Sequence, residues 1–206
     1  MIDFDAFYPH VMPSAPGCPE PTVINALRQA AQRFCETTRA WRCNDTFDVT
    51  MDTCAFVCVP DGAELFEIEA VTFDGRPIDP ISVAELDRLM PRWRDQTEAA
   101  QPRYYTQLDF DTIRLAPAGE GTVQVWAFLK PSEDADQLPD FLGAKFARAI
   151  ASGALADILL LPGQPFFNPD LASVHAARFQ SVLDRNFNLN LRGQQRAPTR
   201  TRAQFL

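Results

Sequence analysis

Ala147, Ala149, Ala151, Ser152, Gly153, Ala154 and Ala156 crowd into about three helical turns, and this density of small side chains constrains the chain more than any other feature. Short side chains at a helix–helix contact let the two backbones approach closely. This stretch is therefore expected to be the most tightly packed helix of the protein. Pro162-Gly163 stops it, since proline lacks the N–H and glycine tolerates a left-handed exit. Asn168-Pro169 restarts a helix, with Asn as cap, Pro at the first helical position and Asp170 at the positive end of the dipole. Ala149 to Ala172 thus reads as a helical hairpin built for packing, with nothing catalytic in it.

A partner for the hairpin lies far upstream. Pro21 opens a stretch in which Val23, Leu27, Ala30, Phe34, Thr38 and Trp41 recur at helical spacing, predicting a helix over 21–42. Arg28, Gln32, Arg39 and Arg42 fall away from that stripe. The hairpin's own helices are expected over 141–161, capped by Asp140, and over 169–187. The latter aligns Ala172, Ala176, Phe179, Leu183 and Phe187.

Between these helices the period changes. Phe47, Val49 and Met51 alternate with Asp48, Thr50 and Asp52, and Phe56-Val-Cys-Val59 continues as a buried-looking run. Leu65–Phe73 reads as a second strand, closed by a turn at Asp74-Gly75-Arg76-Pro77. Ser82-Val-Ala-Glu85 has capping-box spacing, so a short helix should start there, carry Leu86, Leu89 and Met90 inward, and end at Pro91. Further strands are expected at Tyr104–Leu108, Thr112–Leu115 and Thr122–Leu129.

The fold class that results is α+β. A discontinuous helical bundle (about 21–42, 141–161 and 169–187) carries an inserted small β-rich domain and a flexible C-terminal tail. In domain terms, residues 1–45 and 131–190 form the helical core, 46–130 the β-rich insertion and 191–206 the tail. Residues 1–20 hold four prolines and show no helical period. Their large apolar residues (Ile2, Phe4, Phe7, Tyr8, Val11) point to an extended segment lying on the core of this chain or on a neighbouring subunit.

Charge narrows the function. The chain carries −8 overall, which argues against general nucleic-acid binding, because phosphate affinity comes largely from neutralising phosphates. Arg192, Arg196, Arg200 and Arg202 put +4 on residues 191–206 with no acid among them, so the rest of the chain carries −12. An acidic body with a basic tail suggests that the tail reaches for something acidic. No signal peptide is visible, and no apolar run approaches the roughly 18 residues of a membrane span. Cys18, Cys35, Cys43, Cys54 and Cys58 are odd in number and lack CxxC spacing, which reads as reduced, mostly buried thiols.

Catalytic chemistry finds no anchor. Asp109-Phe-Asp111 and Asp134-Ala-Asp136 have carboxylate spacing suited to Mg²⁺, yet both sit in polar turns where Asp is common. Cys54 and Cys58 lie far apart along one strand face, with no His nearby. A Cys35–His175 pair is conceivable, but a buried thiol beside a satisfied histidine is the plainer reading. Trp41, Trp93 and Trp126 each occupy a core-like phase of their elements. Phosphate loops, GxSxG and HExxH words are absent, so neither a cofactor, a metal nor an enzymatic activity is expected.

The order of parts and several local words resemble a known family. They are Pro16-Gly-Cys-Pro-Glu-Pro21, the helix Ala26–Arg42, Phe128-Leu-Lys-Pro-Ser132, Leu138-Pro-Asp140 and, strongest, the hairpin from Ile150 through Phe179. Together these resemble the head-to-tail adaptor (connector) proteins of tailed bacteriophages, the group that includes the tail-tubular-protein-A-like adaptors. The resemblance covers roughly half the chain, and the β-rich unit matches only in kind and position. It implies a homo-oligomeric ring, usually twelve-fold, docked on the portal protein and bridging it to a tail, nozzle or tail-terminator protein. DNA would pass through the bore without specific binding, and no membrane would be involved. It also implies a place in the neck of the virion after assembly in the bacterial host cytoplasm. By composition, the tail is similar to segments that family members place against the portal, which makes Arg192, Arg196, Arg200, Arg202, Phe205 and Leu206 the expected partner-binding residues. The acidic body suits a channel wall that must not hold DNA. Two other readings stand beside this one: a β-rich unit that binds a ligand or fibre, and a small metal-dependent hydrolase using the Asp pairs.

Overall fold

The computed structural model describes residues 1–50, 55–57, 59–96 and 98–187. In chain order the regular elements begin with β1 (Ile2–Asp3), α1 (Tyr8–Val11), α2 (Glu20–Thr38), β2 (Arg42–Val49), β3 (Ala55–Phe56), β4 (Ala63–Phe73) and β5 (Arg76–Pro80). They continue with α3 (Val83–Leu89), β6 (Tyr104–Thr106), β7 (Thr112–Ala116), β8 (Gly121–Pro131), β9 (Gln137–Leu138), α4 (Asp140–Ile158) and α5 (Pro169–Asn186). The class is α+β. The chain divides into two compact units, one formed by residues 1–40 with the chain from 130 onward, the other by 41–129.

In the first unit α4 packs against both α2 and α5. Gly153 shows why small residues are needed here. A Cβ placed on it would lie 2.9 Å from the Ala30 Cβ of α2 and 3.0 Å from the Phe179 ring of α5. One hydrogen atom in place of a methyl is what lets both neighbours reach the α4 backbone. Phe34 and Phe146 add a ring pair at 4.6 Å between α2 and α4, within the range where aromatic pairs attract beyond their area. Arg33 also pairs with Asp157 across these helices.

The hairpin turn follows its punctuation. α4 stops at Ile158, three residues short of the expected 161, because Leu159 and Leu160 already turn before Pro162. Pro139 holds the cap position, and Asp140 is instead the first helical residue. Gly163 takes φ +75°, the left-handed exit. Asn168 caps α5, its side-chain oxygen accepting from the Leu171 N–H at 3.0 Å. α5 ends at Asn186 and buries Ala172, His175, Phe179 and Leu183; Ala176 and Phe187, expected inward, are exposed.

The helix expected over 21–42 also ends early, at Thr38. Arg39 adopts φ 51°, ψ 38°, and its N–H bonds back to the Cys35 carbonyl at 2.8 Å, a left-handed cap made by a non-glycine residue. Trp41 is buried as the stripe required, but from extended chain outside α2. Gln32, placed on the outer face by its polarity, is 8% exposed and donates to the Pro131 carbonyl at 3.0 Å. Arg28 likewise donates to the Ala135 carbonyl at 2.9 Å. Two polar side chains thus fix the segment that leads into α4.

The N-terminal segment is not extended beyond β1, which pairs antiparallel with β9. A 3₁₀ turn over Phe4–Phe7 and the short α1 bury Phe4, Phe7 and Val11 within this same chain. Proline at the second position of α1 is compatible with a helix start, which reconciles helical geometry with the proline content. Gly143 leaves room for Ile2, whose Cδ1 would lie 2.6 Å from an added Cβ.

The second unit is a sheet in the strand order β2-β8-β4-β5-β6-β7-β3, with α3 beside it. β2 and β8 form an eight-residue antiparallel ladder from Arg42↔Phe128 to Val49↔Gly121. β4 turns into β5 through Asp74 and Gly75, both at positive φ as a tight hairpin with this twist requires. β5 is a strand that its prolines concealed. It pairs with β4 only over Arg76–Ile78, then runs parallel to β6 through Asp79 and Pro80. Proline is tolerated where a strand changes partners, because few ladder bonds are asked of it. Val71, Phe73, Ile113, Val123 and Val125 form the centre of this core. Ser82 caps α3 as its spacing implied, and Leu86 is fully buried, whereas Leu89 is 58% exposed.

Candidate interaction surfaces

The six residues expected to bind a partner, Arg192, Arg196, Arg200, Arg202, Phe205 and Leu206, lie outside the described residues. Cys54 and Cys58 do as well. Within the described residues, three surfaces and several isolated groups carry chemistry.

The first is a groove between α4 and α5. The inward stripe of α5 turns Val174, Ala177, Arg178, Ser181, Val182 and Arg185 toward one side, where they meet Arg148, Ala149 and Ser152 of α4. The groove has a volume of about 630 Å³. Its walls carry three guanidinium groups and no carboxylate. Arg33, Arg42 and Arg94 are paired with Asp157, Glu69 and Asp87 respectively. Among the described residues, Arg148, Arg178 and Arg185 have no such acidic partner. Beneath them His175 is buried, its Nδ1 3.4 Å from the Ser152 hydroxyl, so this hydroxyl, rather than Cys35, is its polar neighbour. Burial, then the charge of Arg178, hold its pKa below the usual histidine value.

The second is the tip between β6 and β7. Phe110 is 97% exposed, and Leu108 beside it is 40% exposed. The flanking Asp109 and Asp111 hold the turn. Asp111 takes φ 57°, its carbonyl accepts from the Val57 N–H at 2.9 Å, and the Asp109 carbonyl accepts from the Thr112 hydroxyl at 2.9 Å. These bonds use backbone oxygens, leaving the Asp109 carboxylate exposed to solvent.

The third is a cleft of about 730 Å³ lined by Met90, Trp93, Gln96 and Ala100 among others. Trp93 itself is 4% exposed, and its indole N–H donates to Asp87 at 2.8 Å. The guanidinium groups of Arg94 and Arg114 lie 4.4 and 5.0 Å from its ring. Hydrogen bonds from Arg94 and then Trp93 hold the Asp87 carboxyl below its usual range. Trp93 is therefore a pillar of the cleft, while Trp41 is buried and Trp126 half-buried.

The remaining groups are structural. Cys35 is enclosed in the helical unit, where burial and then the Glu36 charge push its thiol up to about 12, far from a reactive thiolate. Cys18 and Cys43 are free thiols, both raised by burial. Asp134 accepts from the Ser132 hydroxyl at 2.6 Å, which lowers its pKa and accounts for it as a turn residue. Among the described residues, no three His, Cys, Asp or Glu side chains converge as a metal site would require. Nor is any described helix long and apolar enough to cross a membrane.

In a scan against protein-family models, the SU10 adaptor protein model matches residues 11–203. The chain belongs to the SU10 adaptor protein family. This is a family of phage head-to-tail adaptors, structural rather than enzymatic. The match runs through α2, the whole β-rich unit and the α4–α5 hairpin, so it covers the β-rich stretch where local words gave little. A search of curated proteins produced no match. For an adaptor, the surfaces just described are where function should be sought. The groove and the tip were both missed in the sequence. Their signals were present as the Val174/Arg178/Ser181/Arg185 face and the Leu108-Asp-Phe-Asp111 word, but the first reads as an ordinary solvated helix face and the second as a turn.

Proposed function

We propose that this adaptor forms a closed homo-oligomeric ring, twelve-fold in the pattern the family resemblance implies, which docks on the portal and joins it to the tail machinery in the virion neck. The match to the SU10 adaptor family over residues 11–203 carries the reading. Two physical features support it. A net charge of −12 outside residues 191–206 repels a DNA molecule passing through a bore, so the genome can slide without being held. The arginines at 192, 196, 200 and 202, with Phe205 and Leu206 at the end, suit an acidic groove on the portal: bidentate Arg–carboxylate contacts plus a small apolar anchor. Assembly would take place in the bacterial host cytoplasm.

The test is electron microscopy of the purified adaptor mixed with its portal. Stacked rings are expected, and deletion of residues 191–206 should abolish stacking while the subunit stays folded. Free subunits beside bare portals would overturn the ring reading; unchanged stacking after the deletion would overturn the role of the tail alone.

A second reading has one observation in its favour, the cleft beside Trp93 in the β-rich unit. It would make that unit a ligand- or fibre-binding module of the same neck protein. Opening the cleft's pillar with Trp93→Ala should then weaken attachment of fibres in particles whose portal and tail still join. Loss of joining instead would count against it.

A further inference from the structure

The β6–β7 tip and the α4–α5 groove are complementary in both charge and polarity, and neither has an ion-pair partner among the described residues. The tip presents a benzyl ring at 97% exposure between two exposed or half-buried aspartates. Exposing a phenylalanine this fully gives up the burial that aromatic side chains ordinarily supply, about 150–250 Å² of contact area each. The groove offers the reciprocal surface: an apolar floor from Ala149, Val174, Ala177 and Val182 beneath the guanidinium groups of Arg148, Arg178 and Arg185. Those cations stand without carboxylates among the described residues, in a chain whose net charge is −8.

We propose that the Leu108–Asp111 tip of one copy seats in the α4–α5 groove of the next. Phe110 would enter the apolar floor, and Asp109 would meet Arg178 and its neighbouring guanidinium groups. Such a contact is heterologous: the tip of each subunit is used on one side and its groove on the other, so the pairing repeats from copy to copy and closes when the rotation between copies divides a full turn. The inference rests on the ring reading above and adds which surfaces make the ring. An apolar floor favours a peptide bearing an aromatic side chain over a nucleic-acid backbone, which would use the cations and leave the floor empty.

The test uses the full chain with Phe110→p-benzoylphenylalanine, a photoreactive ring of similar shape, irradiated at high protein concentration and in the portal-bound assembly. Cross-links between copies from position 110 to residues 148–152 or 174–185 are expected. Phe110→Ala should weaken self-association about tenfold or more, as loss of a central aromatic anchor does. Asp109→Arg and Arg178→Asp should each weaken it, and the two together should restore it. Cross-links that fall elsewhere, or a double variant no better than the singles, would overturn the proposal. Loss of salt-dependent DNA-fragment binding on Arg178→Asp, without cross-links, would overturn it in favour of a nucleic-acid groove. Sedimentation of the same samples separates the two claims. Rings with cross-links elsewhere sink this contact alone, whereas groove cross-links without closed rings sink the ring reading alone.

Discussion

The inner face of α4 and the tip between β6 and β7 are built by opposite rules. Along α4, Ala149, Ile150, Ala151, Gly153, Ala154 and Leu155 are buried, and at Gly153 even a methyl group is too large for the space. At the tip, Phe110 is 97% exposed, and the turn is held by bonds to the Asp109 and Asp111 carbonyls, from the Thr112 hydroxyl and the Val57 N–H, that use none of the side chains of 108–111. The helical face has spent its side chains on holding the subunit together. The tip's side chains are free for a partner because the turn beneath them is fixed without them. Stability and recognition are thus separated along the chain, and a substitution should disturb one or the other according to where it falls.

The strongest way to probe that separation is Phe34→Ala. Phe34 is fully buried against Phe146, so its loss should cost about 3–5 kcal/mol in urea unfolding, as deleting a buried aromatic does. A cost below about 1 kcal/mol would mean that α2 and α4 do not share a dry core. Next comes Gly153→Val, which must push Ala30 and Phe179 apart and should lower stability by about 1–3 kcal/mol. Asn168→Ala removes the α5 cap and should cost about 1 kcal/mol in the same assay.

A smaller effect concerns His175. Its folded pKa lies below the ordinary value of 6.5, so the unfolded chain takes up a proton first as pH falls. Stability is therefore unaffected by this group above 6.5 and declines as pH drops below it. Unfolding of His175→Gln should lack that component of the acid slope; an unchanged slope would show that other groups produce it. The smallest effect is expected at the tip. Phe110→Ser should leave monomer stability within about 0.5 kcal/mol, since the ring is almost fully exposed. A large loss would erase the contrast.

The sequence disclosed the helical hairpin well because its signals are local. Asn168-Pro169, Gly163 and the alanine run each act through the backbone of their own few residues. It misjudged where α2 ends, since Arg39 closes the helix in a left-handed conformation that arginine does not announce, and Trp41 continued the stripe by coincidence of phase. β5 was hidden behind Pro77 and Pro80, whose acceptability depends on which strands lie beside them. The burial of Gln32 depends on the Pro131 carbonyl, 99 residues away, which no local pattern contains. The surfaces were the least legible. A groove exists only once α4 and α5 are packed, and an exposed phenylalanine looks the same in sequence as a buried one.

That this chain is a structural part of the phage neck is tested most directly by quantitative mass spectrometry of purified mature particles. The adaptor is expected in fixed proportion to the portal, as the proposed stacked rings would require, and is expected to stay with the particles through washing in high salt. Absence from mature particles, or a copy number that varies from one preparation to the next, would contradict it.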